Sequence, residues 1–122
     1  MAQSAGLHEP EDRLSPATID RHRAFVSIQE ELEACDWYDQ RVDATTDPEL
    51  AAILAHNRDE EKEHAAMLIE WLRRHDPALD RHLRTYLFTS QPVTEIEVVA
   101  ESGPNRADSG SLGIGGLKEA AQ

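Results

Sequence analysis

Cysteine is nearly absent from this chain of 122 residues: Cys35 stands alone. No internal disulfide can form, and a reducing compartment is expected. Cys35 falls on the apolar side of a helical pattern, where a small buried hydrophobe is the expected role rather than a reactive thiol. Aromatic residues make up 5% and hydrophobic residues 39%, a thin supply for one compact core in a single small domain. Basic residues are also scarce, 12 against 24 acidic ones, for a formal net charge of -12. That balance argues against binding nucleic acid or an anionic membrane surface. It fits attraction of cations, and solubility alone explains it equally well. No apolar run approaches the length of a membrane span, and residues 1–15 have neither the apolar run nor the basic start of a secretory signal. No phosphate-cradling glycine loop, Ser-His-Asp order, convincing strand or repeat stands out.

What is present is helical periodicity. A flexible polar tail is expected over residues 1–15. Ser15-Pro16 reads as a cap and first turn, and the pattern runs to about Asp43 with Ala24, Ile28, Glu31, Cys35, Tyr38 and Val42 on one stripe. Thr46 and Glu49 have capping-box spacing and open a second helix, about Asp47 to Arg74. Its stripe is Leu50, Ile53 or Leu54, Asn57, Glu61, His64, Leu68 and Trp71. Asp76-Pro77 starts a shorter helix ending near Phe88. The fold class is therefore all-α: two long antiparallel helices, joined by a short connection, plus a short C-terminal helix. The helical hairpin domain spans 16–88. Residues 89–109, rich in Pro, Gly, Ser and acid, read as a flexible linker. Residues 110–122 contain Ser111-Leu112-Gly113-Ile114-Gly115-Gly116-Leu117-Lys118, where glycines alternate with Leu and Ile. That pattern suits an extended peptide docking into small apolar pockets of another protein.

The chemistry lies in the stripes. Glu61 and His64 are three apart on a helix, so a carboxylate and an imidazole project side by side. Glu31 faces them if the two helices pack through their stripes. A glutamate or histidine in a packing stripe must be neutralised or bound, because burying a bare charge is costly. Two carboxylates and one imidazole suit iron, manganese or similar ions better than a structural zinc. Two-metal carboxylate sites in four-helix bundles take a Glu from each of two helices and a Glu-x-x-His from each of the other two. This chain carries one of each, which makes it half of such a bundle, completed by dimerisation about a two-fold axis. Glu30, Glu33 and Trp37 share another face, as do His56, Glu60 and Glu63; an acidic path that gathers cations and a solvated charged face both remain open. Tyr38 is a candidate to support a ligand by a hydrogen bond, or simply a core tyrosine. Met67 and Trp71 read as packing residues, and His22, His75 and His82 as surface.

The run Glu30-Glu31-Leu32-Glu33-Ala34-Cys35-Asp36-Trp37-Tyr38-Asp39-Gln40, with His56-Asn57-Arg58-Asp59-Glu60-Glu61-Lys62-Glu63-His64-Ala65, resembles the encapsulated ferritins. Residues 111–118 are similar to the peptide that directs such cargo proteins into encapsulin shells. The resemblance implies a ferritin-like hairpin that dimerises into a di-iron ferroxidase centre, oxidising Fe(II) to Fe(III) for iron storage and detoxification. Its ligands would be Glu31, Glu61 and His64 of two subunits. Glu30 and Glu33 near Trp37 match the family's metal intake site, and His56, Glu60 and Glu63 match positions that bind cations on the way in. Dimers would form a decameric ring, located in the cytoplasm inside an encapsulin nanocompartment. Ca, Mn or Zn are further candidate occupants of the same or secondary sites. Two other readings use the same residues: a non-catalytic helical cargo or adaptor protein, and a di-iron peroxidase or oxygenase.

Overall fold

Proline after a side-chain acceptor starts each of the first three helices. Ser15 Oγ accepts from the Thr18 backbone N–H at 3.1 Å with Pro16 in the first turn, opening α1 (Pro16–Ala44). A single 3-10 turn, Glu11–Arg13, precedes it. Asp47 Oδ1 accepts from the Glu49 N–H at 2.9 Å, opening α2 (Pro48–His75). The capping residue is thus Asp47 rather than Thr46: Pro48 fixes the first helical position, and the residue before it must cap. Asp76 caps α3 (Pro77–Tyr86) through the Leu79 N–H at 3.1 Å. A fourth helix, α4 (Val93–Ser102), begins where Pro92 O accepts from the Glu95 and Ile96 N–H groups. This computed structural model describes residues 6–102. The fold is all-α, with no strand among the described residues.

Two expectations change. α3 ends at Tyr86, because Leu87 is already extended and Phe88 turns left-handed with φ of 61°. The stretch read as a linker contains α4, whose three valines hid it, since β-branched residues are only moderate helix formers. The peptide expected over 110–122, the end of the linker and the first five residues of the tail lie outside the described residues.

The chain divides into two compact units after Leu72. In the first, α1 and α2 run antiparallel: Glu31 meets His64, and further along α1 Cys35 and Asp39 meet Arg58. Arg58 holds Asp39 at 2.9 Å, and the Cys35 thiol donates to the Arg58 carbonyl at 3.8 Å. The buried apolar residues are Ala24, Ala65 and Leu72. Two helices can cover only one stripe of each other, so Phe25, Leu32, Ile53 and Met67 remain about half exposed. Met67, read from its spacing as a packing residue, is 59% exposed in the protomer. In the second unit, Asp80 binds both Arg73 and Arg84. Burial alone would raise the Asp80 pKa; the two guanidinium groups outweigh it and lower it. Tyr86 is pushed up by burial and by Glu97 and Glu101 of α4.

Leu72 is 2% exposed, so Leu72→Ala should cost about 2–5 kcal/mol by loss of packing. Asp76→Ala should cost about 1 kcal/mol by loss of a cap. Urea unfolding at fixed protein concentration, followed by circular dichroism, ranks the two; a larger loss from the cap variant would contradict this account of the packing.

Candidate metal centre

Helical spacing and antiparallel register bring three side chains together. Glu61 and His64 stand one turn apart on α2, and Glu31 reaches them from α1. His64 Nδ1 lies 3.3 Å from Glu31 Oε1 and 3.4 Å from Glu61 Oε1. The three donor atoms lie within 4.8 Å of one another, close enough to share one ion. Among the described residues, this is the one set of three or more His, Cys, Asp or Glu side chains that converges in this way.

The set is electrostatically unfinished. Glu31 Oε1 is buried and makes no hydrogen bond; the nearby imidazole nitrogen is close but not aimed at it. An unpartnered carboxylate oxygen in a low-dielectric position is costly, and a cation would satisfy it. Glu31 has its pKa raised, chiefly by the neighbouring Glu61 carboxyl, with which it could share a proton, then by burial, against a smaller opposing effect of His64. On His64, burial opposes protonation, yet the Glu61 and Glu31 carboxylates beside it prevail and raise its pKa. Both shifts favour the protonated forms, so protons and a cation compete for these atoms. The donor chemistry fits a cation such as iron or manganese: two hard carboxylates, one imidazole and no thiolate.

The side is also open. The Glu31 and Glu61 side chains are 24% and 25% exposed, and that of His64 is 45% exposed. Three single donors leave half of an octahedral ion's coordination sphere unfilled.

The remaining candidates lie apart from this group. Glu30 is exposed, Glu33 half-buried, and Trp37 half exposed on the wall of an open cavity with Gln40 and Arg41. His56 and Glu60 pair at 3.8 Å on the surface, and Glu63 is exposed. Among the described residues, no converging set of three ligands forms around either group. Tyr38 is half-buried, with the Arg41 guanidinium 5.6 Å above its ring; its hydroxyl has no hydrogen bond to the triad. The Arg58 bridge to Asp39, close to the triad along the hairpin, was missed by the sequence reading; only the antiparallel register, applied residue by residue, would have revealed it.

Histidine NMR titration should find the His64 imidazole above the ordinary value of about 6.5. Glu31→Gln with Glu61→Gln should lower it. Stability from this raised pKa is present below the unfolded value and is lost as pH rises through the folded one. An unchanged His64 titration in the double variant would show that the carboxylates do not act on it.

Comparison with known proteins gives this geometry a family. A family model described as EncFtn-like matches residues 6–90. The encapsulated ferritin-like protein of Rhodospirillum rubrum is 60% identical over 129 aligned positions, covering 97% of this chain and 92% of that protein. A ferritin-like protein of Thermotoga maritima is 54% identical, covering 88% of this chain and 93% of its own. The encapsulin nanocompartment cargo protein EncC of Myxococcus xanthus is 34% identical, covering 88% and 89% respectively. A crystal structure of a Nitrosomonas europaea protein superposes with a TM-score of 0.70 at 64% identity, covering 72% of this chain and 97% of that one. A helical hairpin with this carboxylate–imidazole cluster, matched by that family model from Gly6 to Ser90, belongs to the EncFtn-like family.

Proposed function

We propose that this protein is a ferroxidase carried inside an encapsulin shell, and that two copies join to close a centre for two iron ions. The observation that carries the proposal is the half-open Glu31, Glu61 and His64 cluster with its buried, unpartnered carboxylate oxygen. Fe(II) is the substrate; each ion gives one electron to dioxygen and leaves as Fe(III). Glu31 and Glu61 supply negative charge that favours the more highly charged product. His64 must give up its proton to offer Nδ1 as a ligand, so proton and metal compete for the same atoms.

The pairing face is supported by a second stripe on α2. Ile53, Asn57, Glu60, His64, Met67 and Trp71 recur at steps of four and three, and Ile53 and Met67 are 52% and 59% exposed. A second copy laid along this stripe would cover those side chains and bring its own Glu31, Glu61 and His64 to the open side of the first set. Glu30 and Glu33 beside Trp37, with His56, Glu60 and Glu63, are proposed as gathering positions that pass cations inward through a strongly acidic surface. A decameric ring is the proposed larger assembly. Residues 111–118 are proposed to dock the chain to the shell, a role supported by the names of the Rhodospirillum and Myxococcus relatives.

His64→Ala and Glu61→Ala should each lower Fe(II) oxidation at least about tenfold, as loss of a metal ligand does, while helical circular dichroism is retained. Anaerobic Fe(II) binding should weaken as pH falls through the raised pKa of His64, because the proton occupies the nitrogen the metal needs. Oxidation at the full rate by a Glu31→Ala, His64→Ala double variant would rule the site out.

A further inference from the structure

Buried apolar side chains fix only one end of the α1–α2 hairpin. Ala24, Ala65 and Leu72 all lie on the side of the metal cluster away from the turn. Between the cluster and that turn, over residues 32–60, no residue is buried. Half-exposed surfaces resist sliding less than interdigitated ones, and one residue of slip along a helix is about 1.5 Å. Slip of that size would undo a cluster in which His64 Nδ1 lies 3.3 Å from Glu31 Oε1.

On the turn side a polar contact takes over. Arg58 stands one turn before Glu61 on α2, and its side chain is 22% exposed. Its Nη1 donates to Asp39 Oδ1 on α1 at 2.9 Å, and its Nε donates to the adjacent Asp59 Oδ1 at 3.2 Å. Asp39 lies two turns beyond Glu31. Between them, Cys35 donates its thiol to the Arg58 carbonyl at 3.8 Å. One residue of α2 thus meets α1 at both turns that follow Glu31. A guanidinium is planar and forked, so with one edge held by Asp59 it meets Asp39 in a fixed direction. The Asp39 side chain is 68% exposed, and an ion pair so open to water adds little to stability. What it supplies is register.

We propose that Arg58 is a positioning residue for the metal centre: its bridge to Asp39 sets α1 against α2 and so places Glu31 opposite Glu61 and His64. The role rests on the iron-site reading of that cluster. Among the described residues, Arg58 pairs with Asp39 and Asp59 and with none of the three ligands. The sign of the effect separates register from charge. A guanidinium near a cation site repels the cation, so by charge alone its removal would tighten Fe(II) binding. Loss of register weakens binding instead.

The test is anaerobic Fe(II) titration of the full chain, with the visible absorption of bound Co(II) reporting coordination geometry. Arg58→Met keeps the aliphatic stem and removes the fork. Asp39→Ala removes the bridge and leaves Arg58 in place, so it decides the matter if Arg58→Met fails to fold. Each should weaken Fe(II) binding about tenfold and alter the Co(II) spectrum, with helical circular dichroism unchanged. The double variant should lose no more than either single one, because both act through one contact. Asp59→Asn removes a nearby charge but keeps an acceptor, and should bind as wild type does. Wild-type binding by Asp39→Ala overturns the inference, as does tighter binding by Arg58→Met. Losses that add in the double variant, or an equal loss in Asp59→Asn, overturn it too. Wild-type protein that binds no Fe(II) overturns the iron-site reading as well.

Discussion

A carboxylate oxygen buried without a hydrogen bond is the constraint on which this structure turns. Glu31 Oε1 lies where α1 and α2 pack, beside a second carboxylate and an imidazole. An apolar side chain there would have packed the hairpin better. Glu31 and His64 both bind protons more tightly than they would in water, because each lies beside a carboxylate. A cation of suitable charge would compete with those protons and satisfy the stranded oxygen. Local instability of this kind is what a metal site requires before its metal arrives.

The thin core belongs to the same design. A hairpin that buries only Ala24, Ala65 and Leu72 while leaving Phe25, Leu32, Ile53 and Met67 half in water is short of partners. Apolar surface left over by one protomer is the natural driving force for association. The Glu61 and His64 pair and the leftover surface lie on overlapping stripes of α2, so the proposed pairing would cover both. Family membership agrees with the hairpin and its helical ligand motif, and the relatives' names supply the shell and the ferritin-like chemistry that the proposed function adopts.

Much of this was legible in the sequence because helices have a fixed period. Ser15-Pro16 and Asp76-Pro77 marked helix starts through chemistry that depends on two adjacent residues. Glu61 and His64 were assigned to one site by their spacing, and Glu31 by its place in the facing stripe. Features that depend on tertiary detail were hidden. Asp47 rather than Thr46 caps α2, because the position of Pro48 decides which residue is the last outside the helix. α4 went unseen because Val93, Val98 and Val99 weaken a helical reading that Pro92 nonetheless permits. The left-handed Phe88 could not be read from composition at all, since nothing in Leu87-Phe88-Thr89 demands a positive φ. Nor could the burial of one particular oxygen of Glu31.

The most direct test is to count ions against chains. Anaerobic native mass spectrometry across an Fe(II) titration should show two ions appearing together on paired chains, with single chains remaining metal-free. Tight, saturable binding of one ion to an isolated chain would contradict the account, because the three donors of one protomer would then suffice.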